Sequence, residues 1–234
     1  LDFGGGTFDV SIMSTDNAEQ RRVLASRGVA VGGERFNELL FDGFVAESLG
    51  LTREYANKFG KPLAVPESLR KFRSLDGALR MVSEQATHDA LQFVIHLKGG
   101  QAIKVVDEII YGGHTYAFHK EVEAAKIALS TSARSTVDFH RRHVDVKASV
   151  DRKSFELLIA PNLDRVESAV DAALTEAGIS AGDVNLVVRT GGSSQVPAFV
   201  SRMSSKFGAP KVEQRDALAT VALGLGLEAI GVWG

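Results

Sequence analysis

Three consecutive glycines near the start of the chain are the clearest candidate for chemistry. Gly4, Gly5 and Gly6 lie between Asp2 and Thr7. Glycine adopts positive φ without strain and lets backbone N–H groups approach a ligand closely, and a row of such groups binds anions. Asp2 is placed to hold a hydrated divalent cation beside a phosphate rather than to touch the phosphate itself. The residues therefore predict a turn that binds phosphate and metal, with a simple flexible hairpin as the alternative.

Two glycine pairs further along the chain are additional candidates. Gly32-Gly33 precedes a predicted amphipathic helix, and Gly191-Gly192 lies between an apolar run and a helix that begins at Pro197. The N-terminus of a helix has unpaired N–H groups and the positive end of the helix dipole, so it favours phosphate. For the first pair, a plain helix start explains the sequence equally well. Neither pair matches the G-x-G-x-x-G pattern of dinucleotide-binding loops.

A predicted helix over residues 118–132 contains a polar line. Glu123, Lys126 and Ser130 are spaced i, i+3 and i+7, which places them on one helix face. A carboxylate, an ammonium and a hydroxyl in one line could hold the hydroxyls of a ribose. Such a line is more often a solvated face with a weak surface ion pair, and the spacing alone favours that interpretation.

The elements that position these residues alternate between strands and helices. Phe8, Val10 and Ile12 alternate with polar residues, which predicts a half-buried strand. We expect Asp151 to cap a helix that Pro161 ends or kinks, and Gly178 to end the helix that follows. The periodicity leaves residues 102–111 open between strand and helix. The other predicted elements are strands at 21–26, 135–139, 144–150 and 185–190, and helices at 34–50, 67–79, 82–97 and 218–229.

Composition excludes several classes of protein. The chain has 234 residues, 44% of them hydrophobic, and a net charge of −2, which implies no general attraction to nucleic acid or to a membrane. It has no cysteine, which fits a reducing cytoplasm, and no apolar run near the roughly 20 residues that span a bilayer. Arg141 and Arg142 between His140 and His143 disfavour a metal site there. Because the chain starts at Leu1, without Met, directly on its glycine motif, we expect a fragment of a longer protein.

Taken in order, the motifs resemble one family. Residues 2–11 resemble the second phosphate motif of the actin-like ATPase domain of seventy-kilodalton heat-shock chaperones of the DnaK type. Residues 32–36 resemble the glycine pair that begins their next helix, and residues 186–197 resemble their adenosine motif. The helix over residues 123–130 is similar to the one that flanks adenosine. Sugar kinases and actins share the single glycine motifs, whereas a helix with Glu, Lys and Ser followed by a two-strand hairpin is more specific to the chaperones. The order of all four motifs makes chance agreement unlikely.

The resemblance implies a fold and a ligand. The expected class is α/β: a ribonuclease-H-like (actin-like ATPase) subdomain from residues 1–32 plus 155–234, with an inserted smaller α+β subdomain at 33–154. The chain would be the second half, lobe II, of an ATPase domain that binds ATP or ADP with Mg²⁺, and the N-terminal lobe would be missing from it. Asp2 and Thr7 match catalytic positions, and Asp2 also matches the residue that orders the waters of Mg²⁺. The positions that match nucleotide contacts are Gly4, Gly5, Gly6, Gly33, Glu123, Lys126, Ser130, Gly191, Gly192 and Ser193.

The sequence departs from the DnaK pattern at informative places. Ile127 and Gln195 stand where two arginines usually pack on adenine, and Leu218 stands at a position that is usually acidic. Losing the stacking cations predicts weaker adenine binding or a relaxed base preference. Residues 52–117 are unlike DnaK. The residues around Ile127, together with the end of the chain, resemble the divergent bacterial YegD-like branch of the family.

The expected activity is that of a heat-shock-type, chaperone-like ATPase. The longer parent protein would hydrolyse ATP, and this chain alone would not, because it lacks the first phosphate loop and a lysine from the facing lobe. The expected partners are nucleotide, with client polypeptides and co-chaperones bound through other parts of the parent, and neither nucleic acid nor membrane. A sugar- or acetate-kinase-like phosphotransferase and a filament-forming or nucleotide-sensing module are the alternatives.

Overall fold

The chain folds as a mixed α/β protein. The computed structural model describes residues 1–14 and 22–215. The chain divides into two compact units: unit 1 comprises residues 1–35 and the part of the chain from Ala160 onward, and unit 2 comprises residues 36–159. The first three strands are β1 (Asp2–Phe3), β2 (Phe8–Ser14) and β3 (Arg22–Val29). They form an antiparallel sheet in the order β1-β2-β3, with the predicted alternation of buried and exposed residues along the start of β2.

The sheet of unit 1 continues beyond β1 through a parallel pairing. The Phe3 amide donates to the Thr190 carbonyl at 3.0 Å, and the Thr190 amide donates to the Leu1 carbonyl at 2.8 Å. Thr190 directly follows β8 (Val187–Arg189), which pairs in parallel with β9 (Val212–Gln214). The sheet therefore has the order β3-β2-β1-β8-β9, antiparallel on one side of β1 and parallel on the other. The sequence predicted β8 within 185–190 and did not predict β9.

The prediction that Pro161 ends a helix is wrong, whereas a kink at this residue stays a prediction. Helix α6 runs from Arg152 to Ala177 with Pro161 inside it, so the proline does not end the helix. Proline removes one N–H from the helical ladder. The apolar stripe Ile159, Leu163, Val166 and Val170 is fully buried on both sides of it and favours a continuous helix. Two other predictions are confirmed: Asp151 caps α6 by accepting from the Ser154 amide at 2.9 Å, and Gly178 follows its end with a φ of 69°.

Helix α7 (Pro197–Phe207) begins at the predicted proline and is tied to α6 by ion pairs. Arg202 contacts Asp164 and Glu167, and Lys206 contacts Glu167 at 3.2 Å and Asp171 at 2.6 Å. Both cations are largely covered, with side chains 27% and 15% exposed. The two helices are therefore held in a fixed register beside the sheet.

Unit 2 consists of short helices and two hairpins. Residues 102–111, which the sequence left open between strand and helix, are helical. The predicted helix 67–79 is divided at Ser74 into a 3₁₀ segment and an α-helix, because the Ser74 hydroxyl accepts a hydrogen bond from the Gly77 amide at 3.1 Å. No helix in the described part of the chain is long and apolar enough to cross a membrane. The elements of this unit, including α1, which begins in unit 1, are α1 (Gly33–Leu40), β4 (Glu54–Ala56), β5 (Pro62–Ala64), α2 (Leu75–Met81), α3 (Gln85–Ile95), α4 (Lys104–Tyr111), α5 (Thr115–Ala128), β6 (Arg134–Arg141) and β7 (Val144–Asp151).

An aromatic cluster forms the core of unit 2. Phe41, Phe72 and Phe118 are buried with ring centroids 5.8 to 6.4 Å apart. His119 packs among them and is only 8% exposed. Burial lowers the pKa of His119 from 6.5 to about 4, because a charged imidazolium would lose its hydration in this apolar site. The ring is therefore neutral in the folded protein at ordinary pH.

Candidate functional site

The glycine turn between β1 and β2 is a tight connection. The Gly4 amide donates to the Thr7 carbonyl at 3.0 Å, which leaves Gly5 and Gly6 at the tip. The β1–β2 register pairs Phe3 with Phe8 and Asp2 with Asp9. Phe3 and Phe8 are fully buried and pack edge to face, with their centroids 5.3 Å apart. This packed aromatic pair therefore supports the turn from the ends of β1 and β2.

Hydrogen bonds to carbonyl oxygens fix the orientation of the peptide planes in this turn. The Gly4 carbonyl accepts hydrogen bonds from the Gly33 amide at 3.0 Å and from the Ser193 hydroxyl at 2.8 Å. The Gly5 carbonyl accepts from the Glu34 amide at 2.8 Å. All peptide bonds described are trans, and in a trans peptide the N–H points opposite to the C=O. The N–H groups of Gly5 and Gly6 are therefore directed away from the start of α1.

These outward N–H groups have no acceptor among the described residues. The same holds for the amide of Thr7, so three successive amides at the turn are unpaired within residues 1–14 and 22–215. The turn residues are exposed, apart from the half-buried Gly4. Successive unpaired amides at an exposed turn form a site for an anion. The first two amides of α1 are engaged by the turn itself, so Gly33 serves here to orient it.

The glycines of this region differ in what they do for the fold. A Cβ on Gly32 would lie 2.2 Å from the Gly5 carbonyl oxygen. A Cβ on Gly191 would lie 2.3 Å from the Phe3 carbonyl oxygen, and its φ is 83°. At both positions close backbone packing requires glycine. By contrast, a Cβ on Gly4, Gly5, Gly6 or Gly192 would meet nothing closer than 3.7 Å. The protein's own packing therefore does not explain the glycines at the tip of the turn.

Two carboxylates lie side by side below the turn. Asp2 and Asp9 are cross-strand partners and both are exposed. Asp2 accepts from the Thr190 hydroxyl at 3.1 Å, and Asp9 accepts from the Thr7 hydroxyl at 3.0 Å. Directly opposed like charges repel, so a cation held between them would be favoured. Within the described ranges no group of three or more acidic or histidine side chains forms a metal site, and two carboxylates suit a magnesium ion that keeps most of its waters.

The second glycine turn packs against the first. Ser193 is 5% exposed, and its hydroxyl links the two turns through the Gly4 carbonyl. Ser194 is fully buried and donates to the Gly191 carbonyl at 2.7 Å. The Arg189 guanidinium donates to the Ser194 carbonyl at 2.8 Å, and burial lowers the pKa of Arg189. Unit 1 therefore brings together nine of the predicted residues: Asp2, Gly4, Gly5, Gly6, Thr7, Gly33, Gly191, Gly192 and Ser193.

The remaining predicted residues belong to α5 in unit 2. Glu123 and Lys126 lie on this helix, but α5 ends at Ala128, so Ser130 lies in the following turn and the prediction of one continuous helix face is wrong there. The Ser130 amide donates to the Ile127 carbonyl, three residues earlier, as in a 3₁₀ turn; an α-helical bond would reach the residue four earlier. Glu123 accepts from Lys120 at 2.7 Å, and this hydrogen bond lowers the pKa of Glu123.

Sequence reasoning missed two groups that support the site. Asp9 follows Thr7 on the polar face of β2, and that alternation was the available signal. Thr190 supports Asp2, and only its position at the end of a predicted strand indicated a role. Of the three positions that depart from the DnaK pattern, Ile127 is 59% exposed and Gln195 is also exposed. Leu218 lies outside the described residues, as does the predicted helix 218–229.

Comparison with known proteins identifies the family. A family model described as Hsp70 protein matches residues 114–231, half of the chain. The chain belongs to the Hsp70 family. Among curated proteins it is similar to chaperone protein HscA of Escherichia coli strain IAI39, with 27% identity over 228 residues. The match to HscA of Escherichia coli strain HS has the same identity and length. Each match covers 97% of this chain and 27% of the relative, so the chain spans about a quarter of the length of these relatives.

Proposed function

We propose that this chain is the nucleotide-binding half of a chaperone-type, actin-like ATPase. The observation that carries the proposal is the set of unpaired amides of Gly5, Gly6 and Thr7. Those of Gly5 and Gly6 are directed outward because the carbonyls of Gly4 and Gly5 bond to the start of α1 and to Ser193. Phosphoryl groups of ATP and ADP are bound in this way by backbone amides. A Cβ on Gly4, Gly5 or Gly6 would meet nothing closer than 3.7 Å, so this face of the turn leaves room for a ligand.

The carboxylates below the turn would hold the magnesium ion of the nucleotide. Asp2 would order its waters, as the resemblance implies, and Asp9 is the second oxygen donor on the same face. When bound, the ion would neutralise phosphate charge during hydrolysis. Thr190 and Thr7 each donate one hydrogen bond to these carboxylates, which fixes the orientation of the oxygen atoms. Thr7 would position the attacked phosphate from the side of the turn.

The nucleoside would contact Gly191 and Gly192 in unit 1. The resemblance also assigns Glu123, Lys126 and Ser130 to this ligand. Ser193 already donates its hydroxyl to the Gly4 carbonyl, so its role would be to join the phosphate and adenosine turns. The exposed Ile127 offers no cation for stacking on adenine. We therefore expect weaker adenine binding or a relaxed base preference relative to DnaK-type proteins. An Ile127→Arg variant that leaves the affinity for ADP unchanged would contradict this.

The sheet order supports a particular subdomain assignment. We propose that the sheet β3-β2-β1-β8-β9 with α6 and α7 is a ribonuclease-H-like subdomain, and that unit 2 contains the inserted α+β subdomain. Together they would form lobe II of the ATPase domain. The residues around Ile127 and the sequence at the end of the chain support placement in the YegD-like branch. Client polypeptides and co-chaperones would bind through the rest of a cytoplasmic parent protein.

This half of the site is expected to bind nucleotide without hydrolysing it. In-line hydrolysis needs phosphate contacts from both sides, and the facing lobe with its lysine would come from the rest of the parent. We expect the purified chain to release phosphate from ATP no faster than buffer does. Turnover that is lost in Asp2→Asn would contradict this expectation.

Calorimetric titration of the chain with Mg-ADP tests the proposal. Gly6→Val adds a branched side chain above the turn, where a Cβ would meet no atom within 4 Å, so we expect lost binding at unchanged thermal stability. Gly182→Ala is the matched control in the same unit, since its Cβ would lie 3.5 Å from the nearest atom. Wild-type binding that survives Gly6→Val would overturn the assignment of the turn as the phosphate site.

A further inference from the structure

The tip of the β4–β5 hairpin, residues 57–61, presents an aromatic side chain to solvent. Phe59 is 83% exposed, the highest value of any large apolar side chain in the described ranges. Leaving such a side chain in water rather than burying it costs roughly 1.5–3 kcal/mol. Aromatic residues are common anchors of protein interfaces. Phe59 is therefore a candidate anchor for a partner protein.

The hairpin tip has a fixed conformation. The Asn57 side-chain oxygen accepts from the Phe59 amide at 2.9 Å and from the Lys61 amide at 3.0 Å. The Gly60 amide donates to the Asn57 carbonyl at 2.9 Å, and Gly60 has a φ of 77°. A preorganised turn loses little entropy when it binds. Phe59 is thus presented in one defined direction.

The hairpin is also anchored to the rest of unit 2. Tyr55 of β4 is 3% exposed, and its hydroxyl donates to the Gly50 carbonyl at 2.8 Å. The Ala56 carbonyl accepts from the Lys98 amide at 2.9 Å, which ties the hairpin to the segment after α3. A hairpin with a buried base and an exposed aromatic side chain at its tip is suited to binding a partner protein.

The charges around Phe59 are positive. Lys58 and Lys61 flank it, and the Lys58 ammonium lies 5.1 Å from the ring centroid. No carboxylate of the described residues lies within ion-pair distance of Lys58 or Lys61. Arg53 and Lys98 add exposed positive charge near the base, against the single carboxylate of Glu54. The chain as a whole has a net charge of −2, so this patch is opposite in sign to the molecule that carries it.

We propose that the hairpin tip docks into a partner protein whose surface has carboxylates around an apolar pocket. The ring would enter the pocket, and the carboxylates would meet the two ammonium groups and the positively polarised ring edge. Single-strand nucleic acid binding uses several stacked aromatic side chains, and Tyr55, the other ring of the hairpin, is buried. Anionic membranes favour proteins of net positive charge with a larger apolar face. An acidic protein surface therefore fits best.

Fluorescence anisotropy with defined probes tests this. The acidic probe is a labelled amphipathic peptide of Glu, Asp and Leu, and its control replaces each acid by the amide. A short single-stranded oligonucleotide and phosphatidylcholine vesicles containing phosphatidylserine are the other probes. We expect the full chain to bind the acidic peptide and to bind the amide peptide and the other two probes much more weakly. Phe59→Ala and a double Lys58→Gln, Lys61→Gln variant should each weaken that binding by at least about tenfold, the effect of an interface hot spot.

Phe93→Ala is the matched control, because this phenylalanine of α3 is 51% exposed and has no neighbouring lysine in sequence. Its affinity for the acidic peptide should equal that of the wild type. Equal binding of the acidic and amide peptides, tighter binding to the oligonucleotide or vesicles, binding to none of the probes, or insensitivity to Phe59→Ala would each overturn the proposal. The hairpin tip lies in unit 2 and the phosphate turn in unit 1, so the two tests fail or succeed independently.

Discussion

The glycine turns of unit 1 and the polar line on α5 in unit 2 were predicted for the same ligand, but they are built differently. In unit 1, backbone carbonyls, amides and one buried hydroxyl hold the turns against each other. On α5, Glu123 accepts a hydrogen bond from Lys120 of its own helix, and Ser130 lies beyond the helix end. The unit 1 site is fixed by main-chain geometry, whereas the α5 residues are half-buried side chains on one helix and the turn that follows it.

This difference separates two reasons for a residue to be present. Gly32 and Gly191 allow backbones to meet, so they are needed before any ligand arrives. Gly6 and Glu123 contribute little to packing and are candidates for ligand contact alone. Substitutions should therefore divide into those that unfold the protein and those that leave it folded without ligand.

Gly191→Ala should give the largest loss of stability. Its Cβ would lie 2.3 Å from the Phe3 carbonyl, at a backbone φ of 83° that disfavours alanine. We expect a loss of at least about 4 kcal/mol in the free energy of unfolding, which places it among the most severe single substitutions. Urea denaturation measures it. Gly192→Ala is the control and should lower the free energy of unfolding by under about 1 kcal/mol. Equal losses of stability in both variants would contradict the distinction between glycines needed for packing and glycines that only contact a ligand.

His119 should make the stability of unit 2 depend on pH. The unfolded chain binds a proton below pH 6.5, while the folded chain resists protonation of this residue down to about pH 4. Its contribution to stability is therefore complete above pH 6.5 and falls by about 3 kcal/mol as the pH drops to 4, at 1.36 kcal/mol per pKa unit. Urea denaturation at several pH values should show a flatter profile for His119→Phe than for wild type. His143→Gln, in an exposed turn, should keep the wild-type slope, and a His119→Phe profile with that same slope would contradict the prediction.

Thr190→Val should affect magnesium more than folding. It removes the hydroxyl that donates to Asp2 but keeps the branched shape of a strand residue. We expect a loss of at most about 1 kcal/mol in stability, and a weaker dependence of ADP affinity on magnesium, measured by calorimetry with and without the ion. Thr175→Val removes a comparable exposed hydroxyl bond in α6 and should leave this dependence unchanged. An unaltered magnesium dependence in Thr190→Val would argue against Asp2 as the residue that holds the ion.

Glu123→Gln should change stability least. The side chains of Glu123 and Lys120 are 35% and 50% exposed, and such surface pairs contribute under about 1 kcal/mol. Lys120→Gln breaks the same pair and should have the same small effect in thermal unfolding. If Glu123 contacts ribose, only Glu123→Gln should weaken ADP binding. Equal ADP affinities for the two variants would indicate that Glu123 lies on a solvated helix face and does not contact the ligand.

The sequence predicted elements with strong local signals and missed those that depend on distant partners. The alternation of Phe8 and Val10 specifies β2, and the glycine and proline signals around α6 and α7 specify helix ends. Strand β9 has three residues and no alternation, and it exists because β8 pairs with it. Pro161 was expected to interrupt α6, but the buried stripe on both sides outweighs the loss of one hydrogen bond.

The residues of the candidate site could be predicted from the sequence, but the separate role of each glycine could not. All its glycines look alike in sequence, and only the approach of the Phe3 and Gly5 carbonyls distinguishes Gly191 and Gly32 from Gly6. The end of α5 before Ser130 was also not visible, because the hydroxyl-rich residues 130–132 follow a strong helical pattern. Thr131 donates to the Ala128 carbonyl there, and such side-chain bonds compete with the helical ladder.

The most direct test of the central claim is an amide NMR titration of the chain with Mg-ADP. If the outward amides of the turn bind phosphate, the signals of Gly5, Gly6 and Thr7 should shift strongly and saturate together. The Gly60 signal, from a hairpin in unit 2, should not move. Nucleotide binding that leaves the three turn signals in place would contradict the account.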